Sequence, residues 1–291
     1  MPLDRTAAIR YLRTLLILGR ASNLPTVWSN CLAGWLLGGG GEARRLGLLC
    51  LGATLVYVGG MYLNDAFDAQ FDQQHRPERP IPSGAIRVEA VWMWGLGLLL
   101  LGFIGLCLLG RTTGFLAALL VISILIYDAI HKIFTFSPVL MALCRFFLVV
   151  AAASSSADGV AGLSIWSALV LAAYIVGVSY LARKESTRAK VRYWPCVFLA
   201  APIVLALVVN QEGFKRQGLV LSGIVLIWII ASLRHAFWSP QPNIGLSVSA
   251  LLAGIVLVDL LAVGGENPLL TIVFLLLFFL ALLFQRFIPA T

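Results

Sequence analysis

The side chains best suited to chemistry lie in one short acidic stretch at the end of an apolar segment. Its members are Asn64, Asp65, Asp68 and Asp72, and on an α-helix their spacing places the three carboxylates within about a 60° arc. Like charges this close repel each other, and a divalent cation is the usual compensation. Mg²⁺ normally binds one or two carboxylates together with phosphate oxygens of a substrate. The spacing therefore predicts Mg²⁺ and a phosphorylated substrate, with a solvated helix end as the plainer alternative.

A second charged stretch, residues 183–193, surrounds one carboxylate with five cations. Such a run usually anchors a cytoplasmic loop and touches anionic lipid. The alternative is that Arg183 and Lys184 hold a diphosphate through charge-assisted hydrogen bonds while Glu185 reaches a metal ion. The sequence leaves both interpretations open.

A third polar group ends the fourth apolar segment, where Asp128 and His131 are three residues apart and so share a helix face. Such a pair suits proton transfer or the binding of a second substrate. An interfacial helix cap, with Lys132 extending to water, is an equally good interpretation.

Charged and amide side chains also lie inside apolar segments. A charge at membrane depth costs at least about 2.5–3.5 kcal/mol, so it must face a cavity or a partner. We expect Arg145 to bind an anionic part of a substrate, and Asp259 to serve either a substrate or a structural pair. Asn23 and Asn30 share a helix face on the first apolar segment. That face indicates interhelical hydrogen bonds or a pocket for a second substrate.

The rest of the chain must position these groups within a membrane. Its 291 residues are 60% hydrophobic and 12% charged, with a mean hydropathy of +0.95, which excludes an ordinary soluble domain. Apolar stretches that can cross a hydrocarbon core of about 30 Å are helices, because strands would be shorter and alternate in polarity. We therefore predict one all-α domain over residues 1–291, a membrane bundle of nine to ten helices. The last pair of apolar segments forms either a re-entrant hairpin or a true extra helix. The candidate spans are 22–39, 46–64, 89–109, 113–130, 137–157, 163–182, 194–210, 217–233, 245–264 and 268–285.

The distribution of basic residues predicts the orientation. With the N-terminus inside, fifteen Lys and Arg residues fall in cytoplasmic loops and five fall outside, which satisfies the positive-inside rule and explains the net charge of +8 without nucleic acid. No cleavable signal peptide is evident, and the five cysteines lack the spacing of a disulfide framework or a zinc site. We expect an integral protein of the bacterial inner membrane, in contact with membrane lipid, with its acidic stretch in the cytoplasm.

Two motifs together resemble those of the UbiA superfamily of intramembrane prenyltransferases. They are the N-D-x-x-D-x-x-x-D motif that begins at Asn64 and the R-P-x-R-P-x-P-S-G continuation that begins at Arg76. The resemblance covers most of the chain and implies a helical bundle with a cavity open to lipid. It implies that Mg²⁺ and the diphosphate of an isoprenoid donor are bound by Asn64, Asp65, Asp68 and Asp72. It implies phosphate or loop-closing contacts for His75, Arg76 and Arg79, and a place near the acceptor for Asn23.

The resemblance also implies a reaction. Breaking an allylic C–O bond leaves a diphosphate anion and a prenyl cation, and Mg²⁺ with nearby cations stabilises the leaving group. We predict transfer of a polyprenyl group to a small aromatic or polyol (cyclitol) acceptor, with catalytic residues Asp65, Asp68, Asp72 and Asp128.

The chain departs from the family pattern in the second loop. Where family members carry a second aspartate-rich motif, this sequence has Arg183-Lys184-Glu185 and no aspartate, so it resembles a divergent member. The alternatives are a phosphoribosyltransferase or terpene cyclase of the same fold, or a non-catalytic carrier that binds an isoprenoid or another lipid.

Overall fold

The computed structural model describes residues 5–187, 193–209, 215–264 and 267–290, of which 5–8, 184–187 and 215 are described only as helical backbone. These residues form helices and turns and contain no β-strand, as the sequence predicts. Two short 3₁₀ helices occur, at Ala21–Asn23 and Trp194–Ala200. The α-helices are α1 Arg5–Leu18, α2 Leu24–Leu37, α3 Ala43–His75, α4 Val88–Cys107, α5 Arg111–Ile130, α6 Ser137–Ser154, α7 Gly162–Thr187, α8 Ala201–Val209, α9 Lys215–Phe237, α10 Ile244–Val263 and α11 Pro268–Gln285.

Eight of the described helices are long and apolar enough to cross a membrane, namely α3 to α7 and α9 to α11. The other two predicted spans are shorter. The predicted span 22–39 contains α2, which at 14 residues is about 21 Å long. The predicted span 194–210 contains the second 3₁₀ helix followed by α8. The protein is therefore an integral membrane protein, and its described residues include eight helices of spanning length and two shorter apolar segments.

The last two helices resolve one alternative left by the sequence. Helix α10 ends at Gly264, which has a positive φ of 89°. Helix α11 begins with Asn267, whose side chain accepts a hydrogen bond from the Leu269 N–H. Both helices are long enough to cross a bilayer, which supports a true extra helix rather than a re-entrant hairpin.

Helix α3 extends well beyond its apolar part and carries the acidic stretch on its last three turns. Its 33 residues correspond to about 50 Å. The chain contains no glycine or proline between Met61 and Arg76, so nothing interrupts the helix there. Pro77 then disfavours a helical conformation at Arg76, which adopts φ −144° and ψ 62°. The carboxylates are thus fixed on a rigid element.

Helices α3 and α4 approach each other closely through glycines. A Cβ atom added at Gly102 would lie 2.7 Å from the carbonyl oxygen of Gly52 and 2.7 Å from the backbone nitrogen of Val56. Small residues allow such close approach between membrane helices. The short helix α2 also lies inside the bundle and packs against α3, α6, α10 and α11.

We expect Gly102→Ala to lower the free energy of unfolding by about 1–3 kcal/mol, because the added methyl group cannot fit without moving two backbones apart. The matched control is Gly97→Ala on the same helix, where an added Cβ would meet no atom within 4 Å. Denaturation in detergent micelles measures both. Equal stability of the two variants would contradict the close packing of α3 and α4.

Candidate active site

The three carboxylates of α3 are buried although they lie at the end of a membrane helix. Asp65 and Asp68 are each 7% exposed, and Asp72 is 2% exposed. Buried carboxylates need counter-ions or hydrogen-bond donors, because isolated charges are costly away from water. Below, Asn64, Asp65, Asp68 and Asp72 are called the acidic face.

Arg79 bridges two members of the acidic face. Its Nη1 atom lies 3.2 Å from Asp65 Oδ1 and 2.9 Å from Asp72 Oδ2. Arg79 belongs to the connection between α3 and α4, which turns back over the end of α3 through backbone bonds such as that from the Ser83 N–H to the Arg79 carbonyl. Asp72 Oδ1 is buried and has no hydrogen-bond partner among the described residues.

Asp68 is paired with two basic residues at the end of α5. Lys132 Nζ lies 2.8 Å from Asp68 Oδ1, and His131 Nε2 lies 3.4 Å from Asp68 Oδ2. The same ammonium group lies 3.7 Å from the centre of the Phe71 ring, a cation–π contact. Lys132 therefore bonds to the acidic face rather than only extending to water.

Arg20 completes the set from the turn between α1 and α2. Its Nη2 atom donates to Asn64 Oδ1 at 3.3 Å and to Asp65 Oδ1 at 3.4 Å. Its backbone is left-handed, with φ 42° and ψ 51°, a conformation that costs energy for a residue with a Cβ atom. Burial lowers the pKa of Arg20. The nearby Asp65 carboxylate, with weaker interactions from Tyr57, Tyr127 and Asp68, outweighs burial and leaves the pKa raised. Arg20 therefore stays charged.

The spacing of the acidic face predicts compensation by a divalent cation, and the structure shows that the chain's own cations provide much of it. Arg79 was predicted at this site. His131 was expected to pair with Asp128 in proton transfer or in binding a second substrate, and it contacts Asp68 instead. Arg20 and Lys132 were not among the predicted site residues. Their signal was weak, because Arg20 and Lys132 resemble the basic residues that fix topology at the ends of membrane segments.

Asp128 is joined to the acidic face through Asn64. Asn64 Nδ2 donates to Asp128 Oδ1 at 3.0 Å. Asp128 is 3% exposed, and its Oδ2 atom has no hydrogen-bond partner in the described part of the chain. It lines a cavity of about 70 Å³, whose wall also includes Tyr57, Tyr127 and Arg145 among apolar side chains. At about 30 Å³ per water molecule, the cavity admits a small functional group.

The sequence profile of the UbiA prenyltransferase family matches residues 23–243. The chain belongs to the UbiA prenyltransferase family. The match includes all four members of the acidic face, together with Arg79, His131 and Lys132. Membership in the family predicted by resemblance is thereby confirmed.

Curated relatives match shorter parts of the chain. The digeranylgeranylglyceryl phosphate synthase of Ignicoccus hospitalis is 39% identical over 109 residues, which is 37% of this chain and 35% of that protein. The enzyme of the same name from Methanothrix thermoacetophila is 33% identical over 118 residues, 40% of this chain and 44% of that protein. The chain thus matches well under half the length of each.

Solved structures match nearly the whole fold at low sequence identity. A UbiA homologue from Aeropyrum pernix without ligand gives a TM-score of 0.64 at 14% identity and covers 83% of this chain and 96% of that chain. A homologue from Archaeoglobus fulgidus, bound to GPP and Mg²⁺, gives a TM-score of 0.55 at 13% identity and covers 96% of this chain and 97% of that chain. These matches establish the UbiA fold.

The acidic face suits Mg²⁺ that arrives with a phosphorylated ligand. It offers only oxygen donors, which Mg²⁺ prefers, and the buried Asp72 Oδ1 atom has no partner in the described structure. Within the described residues, no three His, Cys, Asp or Glu side chains are arranged to hold a metal ion by themselves. The residues therefore fit an ion whose remaining ligands come from phosphate and water.

Arg145 lines the cavity, but its nearest partners are structural. Its Nη1 atom donates to Asn30 Oδ1 at 2.7 Å, and its Nη2 atom donates to Thr26 Oγ1 at 3.1 Å. Asn30 Nδ2 in turn donates to Asp259 Oδ2 at 2.7 Å, and the Ser29 hydroxyl donates to the same oxygen. These residues, called the α2 network, connect α2 with α6 and α10. Asp259 thus belongs to a structural pairing.

Three other predicted site residues contact groups outside the acidic face. Asn23 Nδ2 donates to the Ala290 carbonyl at 2.9 Å, which ties α2 to the C-terminal segment. His75 is exposed and its ring stacks on Phe71, with centroids 4.1 Å apart. Arg183 Nη1 donates to the Phe134 carbonyl at 2.7 Å.

Three more predicted residues have no described side-chain contact with the acidic face. Arg76 follows α3, and its N–H bonds to the Asp72 carbonyl. Lys184 and Glu185 belong to α7, but their side chains lie outside the described part of the structure. Their proposed contact with diphosphate or metal therefore stays a prediction.

We expect Arg145→Ala to lower the free energy of unfolding by about 1–3 kcal/mol, because it leaves the buried Asn30 Oδ1 and Thr26 Oγ1 atoms without the guanidinium that donates to them. Arg87→Ala is the control, since the Arg87 side chain is 86% exposed and its loss should cost under about 1 kcal/mol. Denaturant titration in micelles measures both. Unchanged stability of Arg145→Ala would instead indicate a side chain held mainly for a substrate.

Proposed function

We propose that the protein is an Mg²⁺-dependent prenyltransferase that moves a polyprenyl group from its diphosphate to a small acceptor at the membrane. The observation that carries this proposal is the acidic face, where buried carboxylates and three basic side chains meet at the end of a membrane helix. The family assignment supports it, as does the homologue solved with GPP and Mg²⁺. The reaction needs this combination, because metal and cations together stabilise a leaving diphosphate.

Each part of the site has a role in this proposal. Asn64, Asp65, Asp68 and Asp72 hold Mg²⁺, which when bound neutralises the charge that develops on the diphosphate. Arg79, with Arg20 and Lys132, binds diphosphate oxygens through charge-assisted hydrogen bonds. Apolar walls of the bundle hold the prenyl chain and exclude water. The whole chain, residues 1–291, acts as one unit.

We assign Asp128 the role of accepting the proton that the acceptor loses. Asp128 lines the cavity and is bonded to Asn64, and its Oδ2 atom is buried with no hydrogen-bond partner among the described residues. When the acceptor attacks the prenyl carbon, the C–O bond to diphosphate breaks and its electron pair leaves with the diphosphate. The proton displaced from the acceptor then moves to Asp128 Oδ2.

The acceptor is proposed only by class, as a small aromatic compound or an alcohol such as a polyol. The two archaeal relatives are named for digeranylgeranylglyceryl phosphate, which supports an alcohol acceptor of the glyceryl phosphate kind.

For location, we propose a bacterial inner membrane with the N-terminus and acidic face in the cytoplasm. The bias of fifteen to five basic residues supports the orientation, whereas the relatives from Ignicoccus hospitalis and Methanothrix thermoacetophila are archaeal.

The function is tested by diphosphate release from purified protein in nanodiscs. Dimethylallyl, geranyl and geranylgeranyl diphosphate are supplied with or without Mg²⁺, and with aromatic, cyclitol or prenylglyceryl phosphate acceptors. Release that requires both Mg²⁺ and an acceptor supports transfer. Release without an acceptor indicates cyclisation or hydrolysis, and binding without release indicates a carrier.

We expect Asp68→Asn to lower the rate of Mg²⁺-dependent release by at least about 10²-fold, because it removes a metal ligand and disturbs the charge balance around the diphosphate. Glu78→Gln is the control, an exposed carboxylate in the connection that follows the acidic face. Steady-state release by both variants is compared with the unaltered protein. Full activity of Asp68→Asn would refute the metal assignment.

We expect Asp128→Asn to lower kcat for transfer by about 10²- to 10⁴-fold, the usual contribution of a proton-transfer group. The amide keeps an oxygen that can accept from Asn64 Nδ2, so binding of the donor should change little. Rates of transfer and donor affinity are measured with the acceptor found in the release assay. Transfer at the original rate would exclude Asp128 as the proton acceptor.

A further inference from the structure

The acidic face is paired with basic side chains of the chain itself. It carries three carboxylates, of Asp65, Asp68 and Asp72, and three basic side chains lie within 3.4 Å of them, namely Arg20, Arg79 and Lys132. Each carboxylate of the acidic face thus has a basic partner from the chain, and Asp128, bonded to Asn64, adds one further carboxylate nearby. His131, also beside Asp68, adds positive charge only when it is protonated.

This pairing opposes the binding of a metal ion alone. Asp65 Oδ1 is shared by two arginines and Asp72 Oδ2 is bonded to Arg79, so an ion that used these oxygens would have to displace the Arg79 guanidinium or lie beside it in a largely buried cluster, where two adjacent positive charges are costly. Arginine cannot release its charge by losing a proton. Within the described part of the chain, the Arg79 side chain bonds to Asp65 and Asp72, and a metal ion that arrives alone offers it no new anionic partner.

A diphosphate changes this situation. A prenyl diphosphate carries about three negative charges near neutral pH, so an Mg²⁺ diphosphate pair adds only about one net negative charge to the cluster. It also gives a displaced guanidinium a new partner, because arginine binds phosphate oxygens in a two-pronged geometry.

Arg79 is the cation best placed to move. It bridges two carboxylates from the connection between α3 and α4, outside any regular helix. Lys132 is held against the Phe71 ring, and Arg20 is tied to Asn64 as well as to Asp65. Arg79 is also the cation next to the buried Asp72 Oδ1 atom that has no partner among the described residues.

We infer that Arg79 is a built-in counter-ion that keeps Mg²⁺ from binding by itself, so that metal and diphosphate enter together. This inference rests on the proposed function. On entry, Arg79 leaves Asp65 and Asp72 and binds the diphosphate, and the freed carboxylate oxygens become available to the metal. No covalent bond changes in this step.

The test measures metal binding rather than activity. Mn²⁺ replaces Mg²⁺ as a probe, and free Mn²⁺ is followed by electron paramagnetic resonance with full-length protein in zwitterionic nanodiscs. The titration is run without ligand and with geranyl S-thiolodiphosphate, which reacts poorly. For the unaltered protein we expect the analogue to tighten Mn²⁺ binding by about 5- to 150-fold, and by linkage Mn²⁺ must tighten binding of the analogue equally.

The Arg79→Gln variant isolates the role of the counter-ion. We expect it to bind Mn²⁺ without ligand at least about tenfold more tightly than the unaltered protein and to lose most of the effect of the analogue. Arg79→Lys keeps the charge but not the two-pronged guanidinium, so its ligand-free Mn²⁺ binding should lie nearer to that of the unaltered protein than to that of Arg79→Gln. Arg87→Gln, an exposed arginine near the same connection, controls for net charge.

The outcomes separate the inference from the proposed function. Ligand-free Mn²⁺ binding that is no tighter in Arg79→Gln than in Arg87→Gln would overturn the inference. So would unaltered protein that binds Mn²⁺ equally well with and without the analogue. Absence of Mn²⁺ binding to the unaltered protein even with the analogue would instead refute the metal and diphosphate site itself.

Discussion

The pairing of three buried carboxylates with basic side chains from other segments is the constraint on which the site depends. A helix end that carries Asp65, Asp68 and Asp72 cannot be buried unless cations reach it. Those cations come from the turn before α2, the end of α5 and the connection after α3. Each ion pair therefore also fixes the position of one segment relative to α3, so that the chemistry and the packing at this end of the bundle depend on each other.

A second polar layer lies deeper and serves a different purpose. The α2 network joins Arg145, Asn30 and Asp259 across three helices by direct hydrogen bonds. It explains how a helix of only 14 residues can lie inside the bundle with polar side chains on its surface. The lining of the cavity includes Arg145, a member of the α2 network, and Asp128, which is bonded to the acidic face through Asn64. The cavity is thus in contact with both groups of polar residues.

The sequence could predict features that depend on local spacing. The acidic face follows from helical periodicity, and most of the long spans follow from apolar length. The partners of the acidic face could not be predicted in the same way. Arg20 bonds to Asn64 across 44 positions, and nothing near Arg20 distinguishes it from an arginine that only sets topology. The short length of α2 also could not be predicted, because an apolar run shows where a segment can be buried but not where the helix begins and ends.

The pairing of charges also bears on Arg183-Lys184-Glu185, the position where the family resemblance implies a second aspartate-rich motif and this sequence has no aspartate. Asp65, Asp68 and Asp72 are paired with Arg20, Arg79 and Lys132, and Asp128 adds one further carboxylate beside Asn64. On the proposed function, these basic side chains supply part of the positive charge that a second metal ion would otherwise provide to a bound diphosphate. The basic residues Arg183 and Lys184, which belong to the end of α7, are therefore compatible with the same reaction.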